Sequence, residues 1–202
     1  DLFKDTIGKR LEGKIDVEYA FQTLDNVPEG FKVCEGRTKP LGTSQAIYCA
    51  REYIGDNFAV ISADDFYGDR AFEDLGNFME TCEGENKDKM HAIVGYKIGE
   101  TLSEYGSVKR GVILHDNGKV TSIIESSCTL ESDGRVKCVP LDKSKEEFYV
   151  PIDQPVSMLM LGCGTEVFPR IVNNMLDAQE NGIEDPMSYE ALFPDIIDEC
   201  IK

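Results

Sequence analysis

Basic residues are scarce in this sequence, which carries 21 lysines and arginines against 38 aspartates and glutamates, a formal net charge of -17. Such a chain repels nucleic acid and anionic membranes on average. An anionic substrate therefore needs a local exception, made by a few cations, backbone N–H groups or a divalent metal. Histidine is scarcer still: only His91 and His115 occur, and neither sits in a motif that would activate a cysteine nucleophile. The seven cysteines (Cys34, Cys49, Cys82, Cys128, Cys138, Cys163 and Cys200) include no C-x-x-C pair. They read as reduced small hydrophobes of a cytoplasmic protein. The first residues show no signal-peptide pattern, and no apolar run approaches the roughly 20 residues of a membrane span. What remains is a chain of 202 residues, 41% hydrophobic and 29% charged, sized for one large soluble domain.

Periodicity divides the chain into helices and strands. Phe3, Ile7 and Leu11 stand four apart and predict a helix over 1–12. Lys14 to Phe21 alternates, with Ile15, Val17, Tyr19 and Phe21 on one face, and predicts a strand. After irregular segments around Pro28 and Pro40, Thr43 or Ser44 can cap a helix with Ala46, Ile47, Ala50 and Ile54 on its inner face. Phe58 to Ile61 is a continuous apolar run, as expected of a central parallel strand buried on both faces. A helix from Arg70 turns Phe72, Leu75, Phe78, Met79 and Cys82 inward. Met90 to Ile98 is a further expected strand. Asp116-Asn117-Gly118 joins Gly111–His115 to Lys119–Glu125 in a hairpin, and Asp133-Gly134 joins Cys128–Leu130 to Val136–Val139 in a second. Residues 142–155 are charged and hold two prolines, so they are expected to be a surface loop. Val156 to Leu161 is another strand, followed by a helix after Thr165 and a last helical region over 188–201, interrupted at Pro194.

Four constellations can carry chemistry. Asp64 and Asp65 follow a buried strand directly, where carboxylates can share Mg²⁺ with substrate phosphates; the competing reading is that either one caps the next helix. Gly42-Thr43-Ser44-Gln45 opens a helix, with a carboxamide that can read a base edge or a turn that is only a cap. Glu125 ends a strand, where its carboxylate can accept hydrogen bonds from sugar hydroxyls or simply face water. Lys109-Arg110-Gly111 sets two cations beside a glycine that permits close approach, or two solvated surface charges.

Taken in order, these pieces resemble the sugar-1-phosphate nucleotidyltransferase family, the nucleotide-diphospho-sugar pyrophosphorylases. The matching runs are Val17 to Gln22, Arg37 to Ala46, Phe58 to Gly68, Thr101-Leu102-Ser103 with Val108 to Val112, and Val156 to Met160. The resemblance implies a three-layer α/β/α Rossmann-like domain with a mixed sheet, incomplete at both ends. In it 1–82 would form the nucleotide-side half and 83–202 the sugar-side half. It implies transfer of a nucleotidyl group from a nucleoside triphosphate to a sugar 1-phosphate, with Mg²⁺ as cofactor and pyrophosphate as second product. Asp64 corresponds to the family's first metal-binding aspartate and is the expected metal ligand and catalytic residue. Pro40, Gly42, Gln45 and Asp65 fall on the nucleotide side, and Gly111 and Glu125 on the sugar side. Neither nucleic acid nor membrane is an expected partner, while a homo-oligomer stays open.

The departures from the family shape the expectation further. Its opening Gly-rich loop and a second, C-terminal metal-binding aspartate have no counterpart in this sequence. Leu41 and Leu161 stand where the family often has tryptophan, Ser62 and Leu159 where it often has asparagine, and Ser126 where a cation commonly follows the sugar-binding glutamate. Weak or no turnover is therefore expected of these residues alone. Two other functions stay open: a non-catalytic nucleotide- or sugar-phosphate-binding module, and a glycosyltransferase using a nucleotide sugar, whose acidic motif usually separates its carboxylates by one residue.

Overall fold

The computed structural model describes residues 4–82, 84 and 87–201. They fall into two compact units: Asp1–Gly55 with Phe168–Phe193, and Asp56–Val167 with Pro194–Lys202. Among the described residues there are five α-helices and seven strands.

The second unit is built on one sheet of β1 (Phe58–Val60), β2 (Ala92–Lys97), β3 (Val108–Asp116), β4 (Lys119–Leu130), β5 (Val136–Pro140), β6 (Phe148–Val150) and β7 (Pro155–Cys163). Its order is β1-β7-β3-β4-β5-β6, with β2 also on β7. Every pair is antiparallel, which corrects the expected mixed sheet. The run at Phe58 misled because a short apolar strand looks the same in either direction. Here β1 pairs with β7 alone, with Phe58 and Val60 half-buried and Ala59 exposed. The turn chemistry was the better guide. Asn117 (φ 49°) and Gly118 (φ 81°) form the two-residue turn between β3 and β4, the positive-φ pair that matches strand twist. Gly134, at φ 83°, lies in the β4–β5 turn. Within the expected loop over 142–155 lies β6, its Tyr149 opposite Lys137.

Two apolar clusters hold this unit together. Ile98, Val112, Cys128, Val136, Cys138, Val150 and Val156 pack on one another. Tyr67, Ala71, Leu75 and Met160 form the other. Helix α3 (Ala71–Glu80) reaches the sheet through Leu75 and Met79, because Gly162 offers no side chain: a Cβ there would stand 3.0 Å from Leu75 Cδ1. Burying Leu75 stabilises this contact by about 1.5–3 kcal/mol. Phe72 and Phe78, expected inside, are 53% and 40% exposed. The helix offers only a narrow stripe to the sheet, and Ala71 and Leu75 occupy it.

In the first unit, a π-helical turn (Lys4–Gly8) leads into α1 (Lys9–Leu11). Of the expected helical stripe, Phe3 lies outside the described residues and Leu11 is 37% exposed. Residues 14–21 join no strand. Ile15 and Phe21 are exposed, and the Lys4 ammonium lies 4.4 Å from the Tyr19 ring centroid and 5.0 Å from that of Phe21. Alternation marks a surface that can enter a sheet, but it supplies no partner. Helix α2 (Thr43–Cys49) buries Ser44, Gln45, Tyr48 and Cys49. Its N-cap is Gly42, and Thr43 accepts from the Phe193 N–H instead of capping. Helix α4 (Val167–Asn181) buries Ile171 and Met175 one turn apart and stops before Gly182, at φ 86°. Helix α5 (Phe193–Ile201), which from Pro194 on belongs to the second unit, begins where 188–201 was expected to break, since Pro194 is tolerated in a first turn.

Candidate functional site

The acidic run lies on the 61–70 loop between β1 and α3. Asp64 and Asp65 are both exposed. Helix α3 takes Arg70 as its N-cap with no side-chain capping bond, so neither aspartate is a cap. Asp65 and Asp69, with Phe66, Tyr67 and Phe72, line a cleft of about 450 Å³ in which Asp64 takes no part. The loop is closed by Tyr67, whose hydroxyl accepts from the Ser62 N–H at 2.8 Å and donates to the Met158 carbonyl at 3.1 Å.

The β3–β4 register brings together the residues expected on the sugar side. Gly111 lies opposite Glu125, Lys109 opposite Ser127, and Gly111 also opposite Ser157 of β7. Opposed residues share a face and i, i+2 residues return to it, so Lys109, Gly111, Glu125, Ser127 and Ser157 form one patch. A Cβ at Gly111 would stand 2.8 Å from Glu125 Oε1 and 2.9 Å from Ile123 Cγ2; the missing side chain is what leaves room for the carboxylate. Glu125 keeps access to solvent, yet the surrounding protein desolvates it enough to raise its pKa, with the negative charge of Asp195 adding to the shift. Ser126 points the other way, fully buried, and donates to the Ile124 carbonyl. The Arg110 guanidinium is spent on the carbonyls of Thr101 and Lys109, whereas Lys109 is exposed.

The nucleotide-side stretch belongs to the first unit, and its polar groups are largely committed to the chain itself. Gln45 is fully buried. Its Oε1 accepts from the Leu41 N–H and from Gln22 Nε2, while its Nε2 donates to the carbonyls of Thr23 and Asn26. All four hydrogen-bonding positions of the Gln45 carboxamide are thus filled from within the chain. Gly42 (φ 93°) packs so closely that a Cβ would stand 2.6 Å from the Ala191 carbonyl oxygen, so the chain itself requires glycine there. Pro40 is exposed, and its carbonyl accepts from Arg37. Arg37, buried to 5% exposure, donates to four carbonyls, those of Lys39, Pro40, Pro186 and Tyr189. Lys39 pairs with Glu190. Arg37 is therefore structural, while Lys39 makes an ion pair at the surface.

Comparison with known families decides the lineage: a sequence model of the nucleotidyl transferase family matches residues 1–126. The chain belongs to the nucleotidyl transferase family. No curated protein matches it. The matched span includes Asp64, Gly111 and Glu125, so nucleotidyl transfer is the general chemistry of the framework that carries them. For a nucleotidyl transferase of this composition, a metal would offset the shortage of cations. Among the described residues, no group of three or more His, Cys, Asp or Glu is placed to hold one. Two exposed carboxylates still fit Mg²⁺, which commonly takes one or two from the protein and shares itself with substrate phosphates and water. Lys109 is the residue whose position sequence reading undervalued. The signal was its i, i+2 spacing from Gly111 on one strand; its place opposite Ser127 also depends on the bulge between Leu114 and His115, which shifts the register set by the turn. Among the described residues no helix is long and apolar enough to cross a membrane.

Proposed function

We propose that this chain transfers a nucleotidyl group from a nucleoside triphosphate to a sugar 1-phosphate, releasing pyrophosphate. The observation that carries the acceptor assignment is the β3–β4 patch, where exposed Lys109 and Glu125 share one face and the Glu125 carboxylate sits over buried Gly111. A sugar phosphate has hydroxyls for a carboxylate and an anion for an ammonium, and Gly111, itself buried, leaves the room that the Glu125 carboxylate occupies. Glu125 accepts hydrogen bonds from sugar hydroxyls, Lys109 pairs with the phosphate, and Ser127 and Ser157 offer further hydroxyls. A sugar-phosphate oxygen then attacks the α-phosphorus in line, and the bond to the leaving pyrophosphate breaks. Asp64, with Asp65 beside it, would hold Mg²⁺, which when bound supplies neutralising charge on the phosphate oxygens. Pro40 and Gly42 are assigned to the nucleotide side, with Gln45 bracing their loop. A three-layer arrangement and a cytoplasmic location belong to the same proposal.

A non-catalytic binding module is the second reading, favoured by the saturated Gln45 carboxamide and the structural use of Arg37. A glycosyltransferase is disfavoured by the adjacent placement of Asp64 and Asp65 and by the family match. Calorimetry with a panel of sugar 1-phosphates and the four nucleoside triphosphates, in Mg²⁺, tests the proposal. Binding of a sugar 1-phosphate that Glu125→Gln abolishes supports it; a chain that binds neither class of ligand is a scaffold. Pyrophosphate exchange on the pair that binds then separates enzyme from binding module.

A further inference from the structure

Strand β7 bulges where the acidic loop is tied to it by Tyr67. Its ladder partners cover 155–157 and 161–163 and skip 158–160. In that gap Leu159 adopts φ 59°, a left-handed conformation that costs a non-glycine residue about 1–2 kcal/mol. Its N–H bonds to Ser157 Oγ at 3.2 Å. The bulge leaves the Met158 carbonyl outside the ladder, and the Tyr67 hydroxyl takes it. The same hydroxyl accepts the Ser62 N–H, so one oxygen joins both ends of the Ser62–Tyr67 segment to the bulge. The ring is equally constrained. Tyr67 is 5% exposed, edge-on to Phe72 and tilted against Tyr96, each at 6.2 Å between centroids. Tyr96 donates its hydroxyl to the Tyr67 carbonyl at 3.1 Å. Asp64 and Asp65 themselves are exposed, so the conformation that presents them is set from these anchors.

We propose that Tyr67, seated on the Leu159 bulge, is the positioning residue of the Asp64 loop: its hydroxyl holds the loop in the shape that presents the carboxylates to a divalent cation. Bulges commonly re-aim groups beside active sites, and strained non-glycine residues concentrate there. The role rests on Asp64 as the metal ligand, and the test distinguishes its failure from that of the ligand assignment.

The test uses amide-resolved NMR on the full chain, with MnCl₂ alone as the paramagnetic probe. In wild type, the Ser62 amide is expected to exchange at least tenfold more slowly than an open loop amide, and Mn²⁺ to broaden the amides of Ala63 to Phe66 first. A Ser62 amide exchanging at the open rate overturns the proposal without any variant. Tyr67→Phe keeps the ring and removes the hydroxyl. It should release the Ser62 amide and raise the Mn²⁺ concentration for half-broadening about fivefold, the scale of one lost hydrogen bond. Leu159→Gly permits the same left-handed backbone and should titrate like wild type. If Asp64→Asn loses the localised broadening while Tyr67→Phe titrates like wild type, Tyr67 is structural only and the positioning role is refuted. If Asp64→Asn itself titrates like wild type, the ligand assignment falls, and the positioning role with it.

Discussion

Arg37 offers the sharpest perturbation. Its guanidinium satisfies four main-chain carbonyls at 2.6–2.7 Å, two from its own loop and two from Pro186 and Tyr189. Arg37→Met keeps much of the apolar stem and removes every donor, leaving four acceptors around a site only 5% exposed. Orphaning a single buried acceptor costs about 1–3 kcal/mol. Allowing for water entering the vacated space, the expected loss is about 3–5 kcal/mol, within the range for breaking a buried charged network. That is a large share of the roughly 5–15 kcal/mol that stabilises a typical domain. Arg37→Lys should recover only part of it, because one ammonium cannot reproduce the planar fork. Urea denaturation followed by circular dichroism, with amide exchange at Leu41 and Ala191, provides the readout; these residues are tied by the Ala191 N–H to Leu41 carbonyl bond. A loss below about 1 kcal/mol for Arg37→Met would show that the carbonyls find other partners and that the guanidinium is not what holds the loop.

Three further outcomes are expected. Burial, with Asp195 second, raises the Glu125 pKa above 4.5, so the folded state favours the protonated acid. Wild type and Glu125→Gln should be equally stable well below pH 4.5, and wild type should fall behind as pH rises through the raised folded value; a constant difference across that range would contradict the cause assigned. Cys138 and Cys163 are pushed to about 12 by burial, with Cys128 also raised, so iodoacetamide at pH 8 should modify Cys34 and Cys82 well before them; modification of Cys138 at the Cys34 rate would show that the β4–β5 region opens readily. At Leu159, glycine relieves strain but loses a half-buried side chain and gains chain entropy, leaving a net change within about 1 kcal/mol. Leu159→Val should cost about 2 kcal/mol because a β-branched side chain resists the left-handed region, and equal melting temperatures would argue against the bulge.

How much of this was legible depends on whether the signal was local. The hairpins at Asn117-Gly118 and Asp133-Gly134 were readable because a tight turn fixes its own flanking strands. Helix α4 was readable from its apolar stripe. Strand direction was not, since Phe58 to Val60 looks alike in parallel and antiparallel sheets. Nor was the solitary course of 14–21, because alternation does not name a neighbour. The pairing of Gly111 with Glu125 was not legible from the turn, because the bulge between Leu114 and His115 shifts the register by one residue. The site was also illegible where a partner is remote: Arg37 reads as a free cation until Pro186 and Tyr189, 149 and 152 residues away, are folded against it. Gln45 is the same case, a base reader by type whose carboxamide is filled by Thr23, Asn26, Leu41 and Gln22.

The central claim is that the β3–β4 patch receives a sugar 1-phosphate. Its most direct test is a titration of the ¹⁵N-labelled chain with a panel of hexose 1-phosphates, following the amides of Lys109, Gly111 and Glu125. Saturable shifts confined to these strands with at least one sugar, lost in Glu125→Gln and weakened in Lys109→Ala, are the predicted result. Shifts that persist unchanged in Glu125→Gln, or no shift with any sugar phosphate, would contradict it.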